Sequence, residues 1–130
     1  MKDPWNPQEK ALRQWAFDTE SPWPEQDFDL AVADRLFADI ILELAADNHC
    51  PKQSFFLSCA YLMVGDAVRT NFEICPKVDI QHFLARAEQS GHQYLIMLAE
   101  RGTFLIEHPD TFDYNQWCNG GLADADVCQR

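Results

Sequence analysis

Basic residues are scarce in this chain. Lysine and arginine together number 10 against 21 aspartates and glutamates, a formal charge of −11 over 130 residues. That deficit weighs against nucleic acid or an anionic membrane as partner, since both are polyanions. Glycine is also sparse, with 5 residues and no glycine-rich loop ahead of a helix, so a phosphate cradle is excluded. No Cys-x-x-Cys occurs among Cys50, Cys59, Cys75, Cys118 and Cys128. An odd count without paired spacing argues against a disulfide framework and for free thiols in a reducing compartment. The opening Met1-Lys2-Asp3-Pro4-Trp5 lacks the apolar core of a signal peptide, so a cytoplasmic location is expected. The longest apolar run, Phe55 to Val64, is too short to cross a bilayer. Internal repeats and low-complexity tracts are absent.

What is present is material for a core. Hydrophobic residues make up 47% of the chain, which at this length predicts one domain, residues 1–130, burying roughly two-thirds of its unfolded surface. Phe55 to Val64 is broken by one plainly polar residue, Ser58, and Pro51 and Arg69 suit the two ends of a helix around it. A helix apolar nearly all round is buried by its neighbours. Ser54, Ser58, Tyr61 and Gly65 fall on one side of it, where small residues let another element approach and the tyrosine hydroxyl needs a partner.

Four further helices are predicted around the central one. The first opens at Asn6-Pro7-Gln8-Glu9 and carries Leu12, Trp15 and Ala16 to about Asp18. Trp23, between Pro22 and Pro24, belongs to an extended connector. The second helix spans about Glu25 to Asp47, with Leu30, Ala33, Phe37, Ile40, Ile41 and Leu44 on one face. Thr70 to Lys77 is a loop with Phe72 and Ile74 turned inward. Asp79 caps a helix carrying Ile80, Phe83, Leu84 and Ala87 that ends at Gly91. His92 to Arg101 forms the fifth, closed by Gly102. Thr103 to Ile106 reads as a short strand or irregular segment. Phe112, Tyr114 and Trp117 form an irregular aromatic tail folded over the core, and residues 119–130 are expected to be flexible. The fold class is thus all-α, a bundle of about five helices around residues 51–69.

One feature is not explained by packing. Asp18 to Asp47 contains nine acids and a single base, Arg35. Asp39, Glu43 and Asp47 follow at i, i+4 and i+8, and on a continuous helix Glu25 and Asp29 share roughly 80° of arc with them. Like charges at that spacing cost a few tenths of a kcal/mol per pair. The stripe is either a solvated face or a docking site for a basic partner, with Glu25, Asp29, Asp39, Glu43 and Asp47 as contacts. Trp5, Trp23 or Trp117 beside it would supply apolar anchors.

Catalytic and metal patterns are thin. Asp79 and His82 stand one helical turn apart, but the chain has no Glu-x-x-His, and His49-Cys50 has no second ligand pair. Ser58 and Cys59 lie within the apolar helix, and no Gly-x-Ser-x-Gly elbow occurs. No cofactor, metal or catalytic set is therefore expected.

The acid-dense Asp18 to Asp47, the solitary apolar helix Phe55 to Val64, and the tail Trp117-Cys118-Asn119-Gly120-Gly121 together resemble the small, acidic, mostly helical immunity proteins that neutralise bacterial interbacterial toxins. The resemblance is one of type, without a shared motif, so no functional residues carry over. It implies a non-enzymatic cytoplasmic inhibitor occupying the basic site of a toxin domain. The alternatives are a regulatory or adaptor domain binding a peptide or subunit in a groove beside the tail, and a metal-binding enzyme using His82 and nearby acids.

Overall fold

The apolar run identified in the sequence lies at the centre of the molecule. The structure, a computed structural model, describes residues 8–20, 32–119 and 121–128. Among these, α1 covers Glu9–Ala16, α2 Ala38–Ala45, α3 Gln53–Arg69, α4 Lys77–Gln89, α5 Gln93–Glu107, α6 Tyr114–Cys118 and α7 Gly121–Cys128. Single 3-10 turns occupy Arg35–Phe37 and Pro109–Thr111. No strand occurs among the described residues, and the fold is all-α.

Helix α3 is buried as its composition requires: Phe56, Leu57, Cys59, Ala60, Tyr61 and Val64 have no accessible surface. Helices α2, α5, α6 and α7 pack on it, and α4 lies mainly against α5. Each large side chain so enclosed contributes on the order of 1.5–3 kcal/mol. Helix α1 joins through Trp15, which meets Phe55 edge-on at 4.9 Å and Phe56 at 6.2 Å. The Lys52 ammonium seals that contact. It donates to the carbonyls of Trp15 and Asp18, at and just past the end of α1, and lies 4.3 Å from the Trp15 ring centroid. Of the residues expected to open α1, Asn6 and Pro7 lie outside the described residues, and the helix ends at Ala16, two residues before Asp18.

The end of α3 is set by local chemistry. Asn71 and Phe72 have φ of 55° and 63°. The Phe72 N–H donates to the Ala67 carbonyl at 2.7 Å and the Asn71 N–H to Val68 at 3.0 Å, the paired bonds of a Schellman cap. The cap turns Phe72 onto the core, as expected, but the inward residue further along is Cys75, while Ile74 is 58% exposed. Helix α4 then begins at Lys77 behind Pro76. Asp79 lies in its first turn and is not its cap.

Helix α5 corrects the sequence reading. It does not close at Gly102 but runs to Glu107, so Thr103 to Ile106 is helical. Leu95, Leu98, Gly102 and Leu105 keep helical spacing and are all buried. Gly102 lies in the α4–α5 interface, where an added Cβ would fall 2.7 Å from Leu84 Cδ2. It is a site of close approach and not a helix stop.

The C-terminal segment also departs from expectation, being helical instead of irregular. Asp113 caps α6 by accepting from the Gln116 N–H at 3.2 Å, and Ala123 of α7 is fully buried. These elements occupy the small-residue side of α3. A Cβ on Gly65 would lie 3.2 Å from both Phe112 and Trp117. Trp117 packs on the Tyr61 ring at 5.4 Å, and the Tyr61 hydroxyl finds its partner in Arg101, which donates to it at 2.9 Å. Trp117 is therefore core and not an exposed anchor. Trp5 and Trp23 lie outside the described residues.

Candidate functional site

The acidic stripe is divided by its own sequence. Ala33 and Asp34 are not helical, so the helix expected over 25–47 is not continuous. Asp34 Oδ1 accepts from the Leu36 N–H at 2.9 Å and its carbonyl from the Phe37 N–H at 2.8 Å. A short acceptor side chain competes with helical backbone bonding in this way and starts a new turn. Continuous helical spacing therefore does not join Asp39 and Glu43 to the acids ahead of Asp34. Glu25 and Asp29 lie outside the described residues, and α2 itself begins at Ala38.

Asp39 and Glu43 stand one turn apart on the exposed side of α2. Asp39 accepts from Arg86 of α4, and Glu43 from Arg13 of α1, which also reaches Glu9 at 3.1 Å. The Glu43 carboxylate, and after it Glu9, holds the Arg13 pKa above its ordinary value. Asp47, half-buried, leaves the set. It lies past the end of α2, its Oδ1 accepts from the His49 N–H at 2.8 Å, and its carbonyl accepts from the Cys50 N–H at 3.0 Å. Of the three expected contact acids among the described residues, the structure brings Asp39 and Glu43 together.

Among the described residues, five cations are committed to internal contacts. Arg13 and Arg86 tie α2 to its neighbours, Arg69 bonds Asp66 at 2.8 Å, Arg101 holds Tyr61, and Lys52 closes α1. Burial depresses the Lys52 pKa, while the neighbouring Asp18 carboxylate opposes it. Meanwhile Glu73, Glu88, Glu100, Glu107, Asp110 and Asp124 are exposed. The surface thus carries the negative excess that the composition announces.

Beside α2 lies a groove that the sequence reading did not anticipate. Two adjoining cavities, about 380 and 340 Å³, share Leu36, Met63 and Cys75. Ala33, Asp34, Asp66 and Ile74 complete the first, and Ala38, Asp79, Ile80, His82, Phe83 and Arg86 the second. Leu36 is 86% exposed. Helical spacing does not reveal it, because Leu36 stands four residues before Ile40 and eight before Leu44, at the border of the apolar face.

Nucleophiles and metal ligands are dispersed. Cys50, Cys59, Cys75 and Cys118 are buried, and burial pushes the Cys50 thiol pKa up, which keeps it protonated at neutral pH. Among the described residues no three acid, histidine or cysteine side chains converge as metal ligands, and His82 lies exposed on the groove rim. No described helix is long and apolar enough to cross a membrane. Compared with protein-family models, curated proteins and solved structures, the chain matches none.

Proposed function

We propose that this protein is a non-enzymatic inhibitor that binds a basic protein, an immunity protein neutralising a cognate bacterial toxin domain in the cytoplasm. The observation supporting this reading is the division of charge. Among the described residues, Arg13, Arg69, Arg86, Arg101 and Lys52 are engaged by neighbouring groups, so an excess of carboxylates faces outward from the helical frame. Such a surface speeds encounter with a cationic site and rejects anionic competitors. Asp39 and Glu43 remain its best-defined pair, since their bridges are exposed and such bridges are worth at most about 1 kcal/mol. A partner's lysines can replace Arg86 and Arg13 at little cost.

The test begins with capture of the partner from the native cell. Expressed alone, that partner should arrest growth of a bacterial host, and co-expression of this chain should restore it. A harmless partner, or one whose toxicity persists, contradicts the proposal. The adaptor alternative is favoured by a cavity of about 380 Å³ beside the C-terminal helices, lined by Phe104, Trp117 and Leu122, with Phe104 55% exposed. Loss of partner binding in Phe104→Asp, with full binding in Asp39→Lys/Glu43→Lys, would favour it.

A further inference from the structure

We infer that the groove between the Arg35–Phe37 turn and α4 seats an amphipathic, lysine- or arginine-rich helix of a partner protein. This rests on the proposal that the chain binds a basic protein, and it names where and how.

Leu36 carries the inference. A leucine 86% exposed is unremarkable on a loose strand of chain, but this one is fixed. The Asp34 carboxylate accepts from its N–H, and Asp34 and Phe37 close the turn around it. Ile74, 58% exposed, stands across the first cavity, and Met63 and Cys75, each under 10% exposed, form the shared floor. The two cavities fall in the size range of small binding pockets and share Leu36, Met63 and Cys75. They suit two large apolar side chains presented at i and i+3 or i+4 of a helix, roughly 5–6 Å apart. Addition of a strand is the competing mode of peptide capture, but it needs a sheet edge, and no strand occurs among the described residues.

Charge selects the occupant. Asp34, Asp66 and Asp79 line the cavities, and Asp39 stands behind Arg86 at one end. Against these four carboxylates stand Arg86, bonded to Asp39, and Arg69, bonded to Asp66, with His82 on the rim. Among the described side chains the cavity lining sets Asp34, Asp66 and Asp79 against Arg86, net negative around an apolar floor and complementary to a helix with an apolar stripe bordered by cations.

The probe is a synthetic helix of about 18 residues with leucines at i, i+3, i+4 and i+7 and lysines elsewhere. A control peptide has serines for the leucines. With isotope-labelled full-length protein, amide shifts from the leucine peptide are expected at Leu36, Ile74, Cys75 and His82. Leu36→Asp and Ile74→Asp should each weaken binding at least tenfold, and the serine peptide should bind at least tenfold more weakly. Leu36→Asp is decisive because it adds negative charge: association by charge alone would tighten. Both side chains are exposed, so both variants are expected to fold. Shifts centred elsewhere, or Leu36→Asp binding as well as the parent, overturn the groove while salt-dependent binding still upholds an acidic docking surface. Failure of both peptides to bind at low salt counts against both readings. Self-association abolished by Leu36→Asp would assign the groove to a second copy and overturn the inference.

Discussion

Gly102 is where a single atom has the clearest consequence. A Cβ there would fall 2.7 and 2.8 Å from the two methyls of Leu84, which is 3% exposed and has little room to withdraw. Overpacking of this kind costs about 1–3 kcal/mol, while alanine in a helix interior returns about 1 kcal/mol over glycine. Gly102→Ala is therefore expected to lower stability by about 1 kcal/mol in urea unfolding, with a smaller loss when Leu84 is already alanine. Tyr61 offers a polar counterpart. Its hydroxyl is buried and accepts from Arg101, so Tyr61→Phe should cost about 1–2 kcal/mol by the same measurement, the arginine retaining access to water. Cys50 gives a pH signature. Its folded pKa lies above the ordinary 9.0, so the unfolded chain releases the proton first, and stability falls as pH rises from 9.0 toward the folded value. Lys52 acts oppositely, because a depressed lysine pKa makes stability rise with pH up to 10.5. Cys50→Ala should thus make the change of stability with pH between 9.0 and 10.5 less unfavourable than in the parent, as read from chemical-denaturation curves.

Asp34 decides more at the level of elements than its size implies. It starts the turn that leads into α2, and it holds Leu36 outward. Asp34→Ala is expected to cost about 1 kcal/mol, typical of a lost side-chain cap, and to accelerate amide exchange at Leu36 and Phe37 with little change in α3. The same residue shows why the acidic stripe was only half legible in the sequence. Spacing alone cannot tell an aspartate that decorates a helix from one that starts a turn. Asp47 repeated the ambiguity at the other end of α2, where its carboxylate bonds the His49 N–H. The central helix raised no such ambiguity, since an apolar run bounded by Pro51 and Arg69 has no other stable placement in an all-helical chain. Gly102 was misleading because a glycine marks both helix ends and close helix contacts, and only the position of Leu84 separates the two. The groove needed three segments distant in sequence, around Leu36, Met63 and Cys75, so no local pattern contained it.

Across the whole molecule, charge and frame act together. Helices α2, α5, α6 and α7 clasp α3, and the bridges from Arg13 and Arg86 fasten α2 to α1 and α4, so exposed acids are displayed on a fixed surface. The net charge of −11 vanishes near pH 4.5, and the electrostatic part of partner association should vanish with it. The association rate is therefore expected to fall as pH drops from 7 toward 4.5, by about tenfold or more, provided the partner stays cationic. The most direct measurement is the stopped-flow association rate between the captured partner and either the parent protein or Asp39→Lys/Glu43→Lys, across ionic strengths from about 0.01 to 1 M. An acidic docking face predicts a parental rate that falls steeply with salt, and a variant that is at least tenfold slower at low salt and converges with the parent at high salt. Equal rates for the two proteins at every ionic strength, with both folded, would contradict it.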